Sequence, residues 1–174
     1  MCCGPCSIYP LKNILGRDIE VHGFFYNPNI HPFEEFKRRL EAAKKLAGLM
    51  EIDAIFHEDY EPRPFFCGLP GTDKKRLPKE ERCAHCYALR LDRTARTARD
   101  HGFDFFTSSL LYSKFQDHEG IISLGLDMEQ KYRIPFYYED FREGWKEGIQ
   151  ESRRMGLYRQ KYCGCIFSRI ERGL

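Results

Sequence analysis

Seven of the eight cysteines in this 174-residue chain fall into three short groups. The first group is Cys2, Cys3 and Cys6, the second is Cys83 with Cys86, and the third is Cys163 with Cys165. Thiols clustered in this way are more typical of metal ligands or redox sites than of packing. The fold therefore has to accommodate three thiol groups from distant parts of the chain, and we predict that it brings them to one metal site.

Disulfide bonds are the alternative use of these cysteines. The chain shows neither a basic start followed by an apolar signal run nor a stretch of about 18 apolar residues, so export and membrane spanning are not expected. We therefore predict a cytoplasmic protein, and in a reducing compartment clustered cysteines are more typical of metal binding or redox work. Cys67 stands apart from the groups and is expected to be a small, half-buried hydrophobic side chain.

The composition suits one folded domain. A chain of 174 residues with 42% hydrophobic residues can bury a single core, so we predict one domain over 1–174, with 60–80 as a surface excursion rich in proline, glycine and charge. The 28 basic and 26 acidic side chains leave a net charge of only +2. Any contact with nucleic acid must then come from a local basic patch.

Apolar periodicity predicts alternating helices and strands. Helices are expected over 6–15, 33–50, 82–101, 120–132 and 144–155, with a short closing helix, and strands over 20–26, 52–58, 103–111 and 134–138. This alternation indicates an α/β fold with a parallel sheet flanked by helices, whose ligand site lies where strands end and helices begin. The charged run in 33–50 is interpreted as a solvated helix face.

Two of the cysteine groups lie at predicted helix starts. The helix over 6–15 follows Cys2 and Cys3, and the helix over 82–101 begins at Cys83. Unsatisfied N–H groups and the positive end of the helix dipole favour thiolates at such positions. A helix that opens at Cys3 would normally follow a central strand, yet only Met1 precedes Cys2. We therefore expect that the first strand is missing and that the natural chain starts upstream of Met1; a dispensable strand is the alternative.

Several motifs together resemble those of a known family. They are CCGPC at 2–6, FYNPNIHP at 25–32, RCAHC at 82–86, SSLL at 108–111, EDFR at 139–142, YRQ at 158–160 and YCGC at 162–165. The chain resembles the epoxyqueuosine reductases of the QueH type over nearly its whole length. It departs from them in the missing first strand, in Gly4 where alanine is usual, and in Ser108 and Ser109 where threonines are usual. The resemblance implies a HUP fold, which is adenine-nucleotide-hydrolase-like and related to pyrophosphatase-loop (PP-loop) proteins.

The resemblance also implies a reaction and its cofactors. The family reduces the epoxide of epoxyqueuosine, a modified guanine at the tRNA wobble position, to the alkene of queuosine. This needs two electrons, two protons and a site for the leaving oxygen, so it implies an external electron donor and a [4Fe–4S] cluster. The implied cofactor ligands are Cys2, Cys3, Cys83, Cys86, Cys163 and Cys165, and the implied metal ligands are these six with Cys6. Because such a cluster uses at most four protein ligands, a second, mononuclear iron is a further hypothesis, and the division of thiols between the two stays open.

Further site residues come from the matched motifs. The candidate proton donors are Asp140, His31 and Tyr158, for each of which a purely structural hydrogen-bonding role is an equal alternative. The candidate substrate-binding residues are Tyr26, Asn27, Asn29, Arg159 and Gln160. Arg159 is the strongest candidate for the anticodon phosphates, with Lys161, Arg153 and Arg154 beside it. A flipped wobble base would stack on Tyr26, Tyr158 or Phe66.

Two other functions compete with this interpretation. A structural zinc protein would use the four thiols of Cys83, Cys86, Cys163 and Cys165, which leaves the first cysteine group unexplained. A tRNA-thiolating enzyme of the same fold would need a Ser-Gly-Gly-x-Asp-Ser phosphate loop after its first strand, and the cysteine run occupies that place.

Overall fold

The computed structural model describes residues 1–70 and 77–174. Helices dominate it: α1 Gly4–Leu15, α2 Phe33–Leu49, α3 Arg63–Cys67, α4 Lys79–Asp100, α5 His118–Tyr132, α6 Trp145–Arg154 and α7 Ile166–Ile170. Two strands, β1 Gly23–Phe25 and β2 Ala54–Phe56, and two 3-10 helices, Ser109–Tyr112 and Phe141–Gly144, complete the described elements. No helix in 1–70 or 77–174 is long and apolar enough to cross a membrane.

The sheet is parallel, which confirms the predicted α/β class, but it is small. β1 pairs with β2 with Phe25 opposite Phe56. The strands predicted over 103–111 and 134–138 are reduced to a single parallel bridge between Phe106 and Phe136. Ser108 ends the first of them, because its hydroxyl caps the 3-10 helix by accepting from Leu110 N at 3.2 Å.

The predicted helices are confirmed, with one change that affects a cysteine pair. α4 begins at Lys79, after Pro78 in an extended conformation and with Glu80 and Glu81 in its first turn. These residues favour a start before Cys83. The prediction that Cys83 opens this helix was therefore wrong, and Cys83 and Cys86 lie in its second turn.

The start of the chain is held between β1 and the 3-10 helix Ser109–Tyr112. The amino group of Met1 donates to the carbonyl of Phe24, and the carbonyl of Met1 accepts from Asn27 Nδ2 at 2.9 Å. The amide of Cys2 donates to Ser109 Oγ at 3.1 Å. Cys3 occupies the N-cap position of α1 and packs with Cys6 and Ile14 in the main core, to which α4 and α5 also contribute. These contacts fix the first cysteine group in the centre of the molecule.

The predicted excursion over 60–80 is only partly described. Its described part contains α3, from which Phe65 packs with Leu69 and Cys86 in a small core of its own. Cys67 is exposed rather than half-buried, because it lies at the outer end of this short helix. Residues 71–76 of the predicted excursion lie outside the described residues.

Candidate metal centre

One cavity of about 410 Å³ collects cysteines from all three groups. Six cysteines line it: Cys2, Cys6, Cys83, Cys86, Cys163 and Cys165. The seventh, Cys3, is fully buried, and its sulfur lies 3.8 Å from that of Cys2. The eighth, Cys67, does not line the cavity. The chain thus brings thiols from its two ends and from its middle to the same place.

The first group is the most compact. The sulfur atoms of Cys2, Cys3 and Cys6 lie within 4.8 Å of one another, and among the described residues they are the only such set of three potential ligands. Hydrogen bonds from Cys3 and Cys6 hold the pKa of Cys2 well below its usual value, whereas burial raises the pKa of Cys3 to about 12. Three thiols around one point at a helix start are suited to a cation that takes thiolates.

The other two groups face it across the cavity. Cys83 and Cys86 lie on one face of α4, while Cys163 and Cys165 come from the loop before α7. Burial, followed by the charges of Cys163 and Cys165, raises the pKa of Cys83, and burial raises the pKa of Cys86 to about 12. Deprotonating such thiols requires a compensating positive charge, which a bound metal ion supplies.

Two glutamines make hydrogen bonds to these sulfur atoms. Gln160 accepts from Cys3 Sγ at 3.3 Å and donates to Cys6 Sγ at 3.0 Å. Gln116 donates to Cys163 Sγ at 3.4 Å and in turn accepts from the Tyr87 hydroxyl at 2.9 Å. Hydrogen bonds of this kind orient metal ligands and change their donor strength. The resemblance assigned Gln160 to the substrate, and the sequence analysis did not identify Gln116.

A buried cation, also missed from the sequence, lies beside the thiols. Arg90 is 8% exposed, lines the cavity and lies one helical turn beyond Cys86. Its positive charge favours the thiolates of Cys2 and Cys86. The spacing of four residues from Cys86 on a predicted helix was the signal that could have identified it.

A second buried guanidinium holds the third cysteine group in place. Arg39 on α2 is 1% exposed and donates to Glu35 Oε1 at 2.7 Å. It also donates to the carbonyls of Tyr162 and Cys163 at 2.8 and 2.7 Å. The other Glu35 oxygen accepts from the Tyr158 hydroxyl at 2.5 Å. This set of residues, Glu35, Arg39 and Tyr158, is called the clamp below.

Gly164 lies between the cysteines of the third group, in a backbone conformation that favours glycine and with tight contacts at the position of a Cβ. Its φ is +142°, and an added Cβ would lie 3.1 Å from Arg39 Nη1 and 3.3 Å from Ile30 Cγ1. Gly164→Ala is therefore expected to lower the free energy of unfolding by about 1–3 kcal/mol. Gly48→Ala in α2 is the control: nothing lies within 4 Å of its added Cβ, so we expect about 0.5–1 kcal/mol of stabilisation. Denaturant unfolding measures both, and equal effects of the two substitutions would contradict this packing.

The three candidate proton donors do not line the cavity. Arg142 donates to the carboxylate of Asp140, and this hydrogen bond lowers the pKa of Asp140 to about 2. Burial lowers the pKa of His31 to about 4; its ring packs against Phe66, 4.7 Å between centroids. Tyr158 belongs to the clamp. Their assignment as proton donors stays a prediction.

The five candidate substrate residues divide between two places. Asn29, Arg159 and Gln160 line the cavity, whereas Tyr26 and Asn27 do not. Asn29 is 2% exposed, and its Oδ1 has no hydrogen-bond partner among the described residues. A buried acceptor without a partner costs free energy, which a bound group that donates to it would recover.

The residues around the cavity fit an iron–sulfur centre. Seven thiols supply more ligands than one such cluster needs, two glutamine amides make hydrogen bonds to the sulfurs, and Arg90 compensates negative charge. Thiolates also bind zinc, so the donor set alone does not separate the two metals.

Comparisons with known proteins agree on one family. The sequence model of the family described as "Epoxyqueuosine reductase QueH" matches residues 1–171. A protein of that name from Thermotoga maritima is 36% identical over 177 residues, which cover 99% of this chain and 89% of the relative. One from Dehalococcoides mccartyi is 33% identical over 171 residues, which cover 98% of this chain and 91% of the relative. One from Haemophilus influenzae is 36% identical over 174 residues, which cover 96% of this chain and 69% of the relative. The resemblance of the motifs is thereby confirmed, and the chain belongs to the epoxyqueuosine reductase QueH family of oxidoreductases.

Proposed function

We propose that this chain reduces epoxyqueuosine at the wobble position of tRNA to queuosine, and that its cavity thiols hold an iron–sulfur cluster. The observation that carries this proposal is the meeting of three cysteine groups at one cavity in a member of this family. The reaction consumes two electrons and two protons, releases the epoxide oxygen as water and leaves a carbon–carbon double bond. An external donor has to supply the electrons.

The arrangement of the seven thiols supports two metal sites. Cys2, Cys3 and Cys6 form a compact set of three, and the other four thiols form a more open set. These numbers match three ligands for a mononuclear iron and four for a [4Fe–4S] cluster. When bound, such a centre supplies electrons and a Lewis acid for the oxygen.

The chain itself has to bind and orient the nucleoside. We assign the unpaired Oδ1 of Asn29 to an N–H group of the substrate, since it is a buried acceptor in the cavity wall. Gln160 contributes mainly through Cys3 and Cys6, which its amide contacts. Asp140, His31 and Tyr158 are proposed as proton donors on the family resemblance alone.

The fold family and the cellular compartment are part of the same proposal. The short parallel strands support a HUP fold related to pyrophosphatase-loop proteins, in which the cysteine run replaces the phosphate loop. A reducing compartment such as the cytoplasm is proposed from the clustering of the cysteines, which there is more typical of metal binding than of disulfides.

The activity is tested directly with metal-loaded protein purified without oxygen. It is incubated with tRNA that contains epoxyqueuosine and with dithionite as the electron source, and the nucleosides are then analysed by mass spectrometry. We expect epoxyqueuosine to lose one oxygen atom and to become queuosine only when both protein and reductant are present. An unchanged nucleoside with fully loaded protein would contradict the proposed activity.

Arg159 is expected to bind RNA phosphate. It is exposed at the cavity and makes no ion pair with a carboxylate in the described part of the chain. Arg159→Ala should weaken tRNA binding and reduce the slope of log affinity against log salt by about 1, with unchanged iron content. Arg96→Ala is the control, because Arg96 is exposed on α4 but does not line the cavity. Equal salt slopes for wild type and Arg159→Ala would contradict a contact between Arg159 and RNA phosphate.

A further inference from the structure

Three aromatic rings pack together at one side of the cavity. The rings of Tyr112 and Trp145 lie 5.2 Å apart between centroids with an interplanar angle of 27°. Phe115 makes an edge contact with Trp145, 5.5 Å between ring centroids and nearly perpendicular to it. All three residues line the cavity that contains the thiols. We call Tyr112, Phe115 and Trp145 the aromatic platform.

The platform is open on its outer side. Phe115 is 68% exposed, the largest exposure among the large hydrophobic residues described, whereas Tyr112 is buried at 3%. The Tyr112 hydroxyl donates to the carbonyl of Trp145 at 3.1 Å, which holds the two rings together. An exposed phenylalanine beside a stacked pair of rings offers a surface for another flat ring.

The charge around the platform indicates what kind of ring it receives. Lys114 and Lys146, the neighbours of Phe115 and Trp145 in the chain, are both exposed. The same cavity is lined by four exposed basic residues, Lys79, Arg159, Lys161 and Arg172, whereas Arg82 in its wall is buried and paired with Glu171. Exposed aromatic rings among basic side chains are typical of sites that bind single-stranded nucleic acid, because bases stack on the rings while phosphates pair with the cations.

We propose that the aromatic platform stacks an unpaired base of the substrate RNA, next to the base that enters the cavity. The inference rests on the proposed function and adds to it a binding site for a second nucleotide. The residues expected from the sequence to stack the flipped base, Tyr26, Tyr158 and Phe66, do not line the cavity. The platform does, and Phe115 is its accessible ring.

The test measures binding of a fluorescently labelled RNA stem-loop of the anticodon-arm type, without the modified base, to the metal-loaded protein. Stacking of one base predicts that Phe115→Ala weakens binding by between about fivefold and about 150-fold. Phe115→Tyr keeps the ring and should bind within about twofold of wild type. Phe33→Ala is the matched control, because Phe33 is also exposed, at 49%, but does not line the cavity.

Trp145 provides a second, local readout, because it is the only tryptophan in the chain. Its fluorescence should be quenched by the stem-loop and not by a fully paired RNA of equal length, which has the same phosphates but no unpaired base. Equal quenching by both RNAs, or unchanged stem-loop affinity in Phe115→Ala, would overturn the platform. Unchanged affinity would leave this face to another partner, such as the electron donor or a second copy of the chain.

The two proposals fail in different ways. If stem-loop binding depends on Phe115 but epoxyqueuosine is not reduced, the platform stands and the proposed activity does not. If the reduction proceeds and Phe115→Ala binds the stem-loop as tightly as wild type, the activity stands and the platform does not.

Discussion

Arg39→Met is expected to lower the free energy of unfolding by about 3–5 kcal/mol, since it removes one partner of a buried ion pair. Arg39 is 1% exposed and Glu35 is 4% exposed. Without the guanidinium, Glu35 keeps only the hydroxyl of Tyr158 among its partners in 1–70 and 77–174, and the carbonyls of Tyr162 and Cys163 lose their donor. The substitution therefore leaves a buried charge and two buried acceptors unpaired.

Unfolding of the metal-free protein in guanidinium chloride measures this effect separately from metal binding. The control is Lys44→Met, which breaks the partly exposed ion pair with Glu58 and should change stability by no more than about 1 kcal/mol. The double substitution Glu35→Leu with Arg39→Met removes the buried charge as well and should recover part of the loss. An Arg39→Met protein as stable as Lys44→Met would show that the clamp is not a main support of the third cysteine group.

Cys3→Ser is expected to weaken iron binding at the first cysteine group at least about tenfold, so that the protein loses the iron beside the cluster, about one of its five irons per chain. Residues that merely orient a metal ligand commonly change affinity by about 10- to 100-fold, and loss of a ligand should cost no less. Cys3 is fully buried, lies 3.8 Å from the sulfur of Cys2 and is connected to Cys6 through the amide of Gln160. A serine hydroxyl in its place is a harder and less acidic donor than a thiol.

The matched control is Cys67→Ser, because Cys67 is exposed and belongs to none of the three cysteine groups. Both variants are purified without oxygen, and their iron and sulfide contents are compared with that of wild type. Circular dichroism of both confirms that the fold is retained. Full iron content in Cys3→Ser, or equal losses in the two variants, would exclude Cys3 as a ligand.

The sequence predicted the features that depend on local pattern. The cysteine spacing indicated three groups with a common site, and apolar periodicity identified the helices. The extent of the sheet was overestimated, because apolar runs such as 103–111 resemble strands even where Ser108 turns the chain into a 3-10 helix. Hydrophobic pattern alone does not register such a cap.

The buried charges could not be predicted in the same way. Glu35 and Arg39 lie four residues apart, which on a charged helix is the pattern of a solvated surface pair. They are buried because the loop with Tyr162 and Cys163 folds over them, and this contact joins residues more than 120 positions apart. The burial of Arg90 could not be predicted for the same reason, because the cysteines near it come from all three groups.

The most direct test of the account is metal and sulfide analysis of the wild-type protein purified without oxygen, together with its visible absorption spectrum. We predict acid-labile sulfide, absorption near the blue end of the visible range and about five irons per chain, four in a [4Fe–4S] cluster and one beside it. A colourless protein with zinc in place of iron and no sulfide would contradict the central claim that these thiols hold an iron–sulfur centre.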